Sequence, residues 1–155
     1  MTDVAPHIMI VEARFYEDIA DEMLRGAQRE LETAGATFEV FSVPGAFEIP
    51  ATIQCAVRAM DFDDARRRFD GYVALGCVIR GETTHYDYVC WESARALMDL
   101  STRYSLAMGY GILTCENQEQ AWARAGLNRG NKGAAAAEAC LSMLAVKGRL
   151  GLFPR

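Results

Sequence analysis

Histidine is nearly absent from this chain. Of 155 residues only His7 and His85 carry an imidazole, too few and too far apart to hold a metal ion by themselves. The five cysteines, Cys55, Cys77, Cys90, Cys115 and Cys140, include no C-x-x-C pair and no histidine neighbour. They read as small buried hydrophobes, not as zinc ligands or disulfide partners. Long apolar runs are missing too: none reaches the roughly 18 residues of a membrane span, and the N-terminus has no signal-peptide pattern. The expectation is a cytoplasmic protein. Positive charge is short, with 16 Lys and Arg against 21 Asp and Glu and a net charge of −5, which argues against a nucleic-acid surface. The one basic run, Arg66-Arg67-Arg68, sits among Asp63, Asp64 and Asp70 and reads as a solvated loop or helix end. Neither G-x-x-x-x-G-K nor G-x-G-x-x-G occurs, so any bound phosphate is expected to be a small monophosphate.

What is present is a 51% hydrophobic, 24% charged composition with no repeat, linker or low-complexity tract, which predicts one folded domain over residues 1–155. Short apolar runs alternate with helical periodicity. Ile8–Val11 predicts a strand buried on both faces, and Ile19, Met23, Leu24, Ala27 and Leu31 recur at helical spacing up to a stop at Gly35. Phe38–Val43 predicts a second strand. A helix from about Phe47 to Met60 follows, with Pro50 tolerable in its first turn. Tyr72–Ile79 is the third strand, Tyr86 to Leu106 a long helix, and Gly111–Thr114 the fourth strand. Two final helices, about Gln118–Ala125 and Ala134–Lys147, flank the glycine-rich segment Gly126–Gly133. This alternation predicts βαβ units and a parallel sheet covered on both faces, with ligands beyond the carboxyl ends of the strands.

Those ends carry the chemistry. Gly81-Glu82-Thr83-Thr84 lies between a strand and a helix start, where free N–H groups, the helix dipole and two hydroxyls suit an anion; a plain N-cap explains the same residues. His85 follows directly. An imidazole, ordinarily near pKa 6.5, moves protons at neutral pH, and a helix N-terminus favours its neutral form; a hydrogen-bonded structural role is the alternative. Phe15, past the first strand, is either a stacking platform for a planar heteroaromatic ring or a hydrophobic staple. Glu48 either caps a helix or accepts hydrogen bonds from ligand hydroxyls. Arg124 and Lys132, beside the glycine-rich break, are phosphate partners or ordinary surface charges.

Five segments in order, Ala13-Arg14-Phe15, Val43–Pro50, Gly76–Val89, Gly111–Thr114, and Arg124-Ala125-Gly126 with Gly130–Gly133, closely resemble the lumazine synthase family over about His7 to Lys147. The resemblance implies a flavodoxin-like three-layer α/β/α sandwich with a four-stranded parallel sheet flanked by helices. It implies an enzyme, without metal or other cofactor, that condenses 5-amino-6-ribitylaminouracil with 3,4-dihydroxy-2-butanone 4-phosphate. The product is 6,7-dimethyl-8-ribityllumazine, the penultimate compound of riboflavin biosynthesis. By the same resemblance Phe15 stacks on the pyrimidine, Ala46 and Glu48 hold the ribityl chain, and Val78 and Ile79 meet the ring edge. Glu82 and Thr83 offer backbone contacts to the phosphate, which Arg124 of a neighbouring subunit clamps, and His85 transfers protons. Lys132 reaches the ring carbonyls and Tyr110 contributes backbone contacts across the interface. Many relatives carry phenylalanine at the position of Tyr110 and asparagine at that of Tyr16, so the implied contribution of Tyr110 is its backbone.

The rival reading of the same segments is a non-catalytic flavin- or riboflavin-binding module, which leaves Arg124, Lys132 and His85 without a joint purpose. A further rival is a shell protein whose activity has lapsed. The resemblance implies pentamers, in some members twelve of them in a sixty-chain shell. The short form of Gly126–Gly133 favours the shell, whereas Pro6, before the first strand, weakens pairing of an N-terminal extension with a neighbour.

Overall fold

A computed structural model describes residues 4–62 and 69–154; the basic run Arg66-Arg67-Arg68 lies outside them. Four strands, β1 (His7–Ala13), β2 (Thr37–Val43), β3 (Gly71–Ile79) and β4 (Ala107–Cys115), alternate with five helices. The helices are α1 (Glu17–Thr33), α2 (Ile49–Ala59), α3 (His85–Tyr104), α4 (Gln118–Ala125) and α5 (Lys132–Arg149), and one 3-10 turn, Ala46–Glu48, precedes α2. All strand pairs are parallel, in the order β2-β1-β3-β4. This is the covered parallel sheet expected from the alternation, in the flavodoxin-like α/β arrangement that the resemblance implies.

The strand pleat divides the core into two layers. Ile8, Ile10, Val73, Leu75 and Leu113 face α1, α4 and α5, while Met9, Val11, Tyr72, Ala74 and Ile112 face α2 and α3. Because both faces are covered, β1 and β3 read as nearly continuous apolar runs.

Local chemistry sets the boundaries. Helix α1 opens on Glu17 and Asp18, which complement its dipole, and ends before Gly35, whose φ of 73° is a left-handed conformation. Pro50 falls in the first turn of α2. Asn117 caps α4 by accepting a hydrogen bond from the Gln120 N–H at 2.9 Å. The structure departs from the sequence reading at β4, which is longer than Gly111–Thr114. Ser105 takes a left-handed conformation (φ 53°) that breaks α3 and lets the strand begin at Ala107. Helix α5 likewise begins earlier than expected, at Lys132, capped by Asn131. One expectation about cysteine needs correction: all five are free, as the sequence reading has it, but only Cys115 and Cys140 are buried, whereas Cys55 is exposed and Cys77 and Cys90 are half-buried. Cys55 lies on the solvent side of α2, whose buried positions are Ile49, Pro50, Ile53 and Val57.

Candidate active site

The strand order reverses between β1 and β3, and at that switch point, beyond the carboxyl ends of the strands, lies a largely apolar cleft of about 590 Å³. Four segments build it: Phe15 and Tyr16 after β1, Pro44–Glu48 after β2, Cys77–Ile79 at the end of β3, and Gly81, Thr83 and His85 at the start of α3. Tyr86, Tyr88 and Val89 of α3 complete the wall.

Phe15 is 73% exposed, with Tyr16 edge-on to its ring at 4.9 Å. An aromatic this open buries little of its ring within the chain, and its surface is accessible from the cleft. Ala46 is buried in the turn. Glu48 occupies the N-cap position of α2, but its side chain makes no capping hydrogen bond, so its carboxylate remains available to a ligand. Thr83 Oγ1 accepts from the His85 N–H at 3.3 Å, whereas Thr84, at the N-cap position of α3, makes no capping hydrogen bond with its side chain. His85 itself is the exposed first residue of α3 and faces the cleft. Glu82 is exposed on the same turn, outside the cleft lining.

Arg80 anchors the turn. Its Nε donates to Glu116 at 2.8 Å and Nη2 to Asp87 at 3.4 Å, its guanidinium lies 4.3 Å from the Tyr86 ring centroid, and its N–H donates to the Cys115 carbonyl. Hydrogen bonding to Glu116 raises the Arg80 pKa. Cys77 lines the cleft, yet burial, with Cys115 beside it, pushes its thiol up to about 12. It is therefore a neutral wall, not a nucleophile.

The remaining expected site residues gather elsewhere. Tyr110, Arg124 and Lys132, with Thr114, line a separate hollow of about 300 Å³ between the edge strand β4 and α5. Burial raises the Tyr110 pKa. Arg124 is exposed and spends one hydrogen bond on its own helix, from Nη1 to the Gln120 carbonyl at 2.9 Å. Within one chain the two groups share no lining residue. Sequence reasoning did not single out Tyr86, Tyr88, Cys77 or Thr114. Tyr86 and Tyr88 follow His85 directly, but only the orientation of α3 reveals that they wall the cleft.

Among the described residues no group of three or more His, Cys, Asp or Glu converges as a metal site would, and no described helix is long and apolar enough to cross a membrane.

Fold and cleft together define a flavodoxin-like α/β protein with a small-molecule site at the topological switch point. The family model described as 6,7-dimethyl-8-ribityllumazine synthase matches residues 5–148. The chain is 58% identical over 152 residues to 6,7-dimethyl-8-ribityllumazine synthase 1 of Rhizobium meliloti, covering 97% of this chain and 98% of that protein. It is 56% identical to the 6,7-dimethyl-8-ribityllumazine synthase of Agrobacterium fabrum (94% of this chain, 97% of the relative) and 53% to that of Bartonella bacilliformis (96% and 94%). The chain belongs to the 6,7-dimethyl-8-ribityllumazine synthase family, and the non-catalytic flavin-binding alternative is not favoured.

Proposed function

We propose that this chain joins 5-amino-6-ribitylaminouracil to 3,4-dihydroxy-2-butanone 4-phosphate, giving 6,7-dimethyl-8-ribityllumazine with loss of phosphate and water. The observation that carries the reading is the meeting, in one cleft, of an open aromatic platform, an uncommitted carboxylate and a histidine beside a strand-to-helix turn. Phe15 stacks on the pyrimidine, Ala46 and Glu48 hold the ribityl chain, and Val78 and Ile79 meet the ring edge. Backbone groups of Glu82 and Thr83 receive the phosphate at the α3 N-terminus. The aryl amine attacks the ketone and water leaves to form an imine. Elimination of phosphate leaves an enol that tautomerises to a carbonyl, and the ribitylamino nitrogen attacks that carbonyl, closing the ring with loss of a second water. His85 moves the protons, while much of the rate comes from holding two reactive molecules in register.

Arg124, Lys132 and Tyr110 lie apart from this cleft within a chain, so a site that uses them is completed by a neighbouring copy, Arg124 clamping the phosphate and Lys132 reaching the ring carbonyls. An exposed apolar stripe on α3, Tyr88 (67%), Trp91 (76%) and Met98 (63%), supports burial against other subunits. The assembly is a closed ring of five, twelve of which form a sixty-chain shell in the cytoplasm.

Incubating the chain with both substrates and following the fluorescent product tests the activity; no product refutes it. His85→Ala is expected to slow turnover by about 10²-fold or somewhat less, with folding retained because the side chain is exposed. Unchanged turnover at saturating substrate removes His85 from the mechanism. Native mass spectrometry is expected to find 60 × 17.1 = 1026 kDa. A mass of 5 × 17.1 = 85.5 kDa refutes the shell and keeps the ring, and a monomer refutes both.

A further inference from the structure

Glu12 is the one charged side chain buried among the described residues, 2% exposed on the α1 side of β1. A carboxylate there is costly unless it is paired and hydrogen-bonded, and similar burial of an apolar residue is often no worse for stability. Its partners tie it to both turns of the cleft wall. Arg14 Nη1 donates to Glu12 Oε1 at 2.6 Å and Oε2 at 3.2 Å, and Ser42 Oγ donates to Oε2 at 3.0 Å. Arg14 Nη2 reaches on to Asp21 of α1 at 2.6 Å, and the Arg14 N–H donates to the Val43 carbonyl at 3.1 Å.

The connectivity matters more than the pairing. Arg14 immediately precedes the Phe15–Tyr16 turn, and Ser42 lies two residues before the Pro44–Glu48 turn. Glu12 and Ser42 are also direct register partners in the β1–β2 ladder. One carboxylate thus holds, from behind the sheet, the two loops that carry the aromatic platform and the Ala46–Glu48 wall. The phosphate turn after β3 has its own anchor in Arg80 and does not touch this network.

We propose that Glu12, acting through Arg14 and Ser42, is a positioning residue for the ring-and-ribityl half of the site. It sets the spacing between Phe15 and the Ala46–Glu48 turn, and it leaves the phosphate half unaffected. The inference rests on the proposed function, and its consequence is a split between the two substrates that loss of general stability does not produce.

The test uses Glu12→Gln, which keeps the shape but loses the charge, and Arg14→Lys, which keeps the charge but loses the planar fork joining Glu12 to Asp21. Each is assembled as the full-length protein and compared with wild type by steady-state kinetics and by calorimetric titration of 6,7-dimethyl-8-ribityllumazine. Displacing a binding wall by about 1 Å costs up to about 10²-fold. Both variants are therefore expected to weaken product binding and to raise KM for the aminopyrimidine by about tenfold or more, while KM for the butanone phosphate stays within about twofold. Arg14→Lys, at a half-exposed position, carries the test if Glu12→Gln fails to fold. Product affinity equal to wild type, or an equal rise in KM for both substrates, overturns the inference. A wild-type chain that makes no lumazine overturns the proposed function instead.

Discussion

Subunits carrying Arg124→Ala, mixed with subunits carrying His85→Ala, are expected to be more active at limiting butanone phosphate than either variant alone. The structure places His85 in the cleft at the β1–β3 switch point and Arg124 in the hollow beside β4, with no lining residue in common. If the working site combines the cleft of one chain with the hollow of the next, a hybrid ring contains some junctions where both residues are intact. Random mixing at equal amounts makes about one quarter of the junctions intact in a closed ring with one site per interface. In the proposed site Arg124→Ala by itself removes a charge-assisted bond to phosphate, worth roughly 1.5–3 kcal/mol, or about 10- to 10²-fold in affinity. Its effect is expected on KM for the butanone phosphate far more than on KM for the pyrimidine. Co-expression with two affinity tags, followed by assay of doubly selected assemblies, measures the recovery. Well-mixed hybrids no more active than the two parents exclude a site divided in this way.

Gly109→Ala is expected to be strongly destabilising, because the added methyl meets main chain rather than a movable side chain. Gly109 lies on β4 where the strand passes under α5, and a Cβ there would meet the backbone carbonyl of Ala136 and its carbon. The obstacle is main chain inside a helix and cannot rotate away, so α5 has to lift from the sheet. Overpacking of a core costs about 1–3 kcal/mol and occasionally more, and a backbone collision belongs at or above the upper end, about 3 kcal/mol. For a chain of this size that is roughly 6–12 °C in Tm at equal protein concentration. Ala136→Gly in the same chain gives no recovery, because the colliding atom is the carbonyl and not the methyl. Thermal unfolding by circular dichroism reads both, and a Tm within about 2 °C of wild type shows that α5 does not pack this closely on β4.

Much of the fold was legible because its signals are local. A buried strand such as β1 leaves a continuous apolar run, α1 leaves Ile19, Met23, Ala27 and Leu31 on one stripe, and Pro50 and Gly35 punctuate where their backbones allow. The missed start of β4 has an equally local cause of another kind: Ser105 adopts a left-handed conformation without being glycine, and nothing in its side chain announces that. The site was legible in part for the same reason. The strand-to-helix turns after β1, β2 and β3 can be found from strand ends alone, and Phe15, Glu48, Thr83 and His85 stand on them.

Glu12 marks the limit of such reading. It lies just past the expected strand Ile8–Val11 and was not singled out, and its partners are Arg14, two residues on, and Ser42, thirty residues on and brought alongside by the parallel ladder.

The sequence by itself determined the alternation of strands and helices, the turns at the carboxyl ends of the strands, and membership of the family, because each of these is written in neighbouring residues and their spacing. Only the tertiary structure decided which of those turns share a cleft. Strand order and register are set by long-range packing, and it is packing that gathers Tyr110, Arg124 and Lys132 in a hollow that shares no lining residue with the cleft of His85.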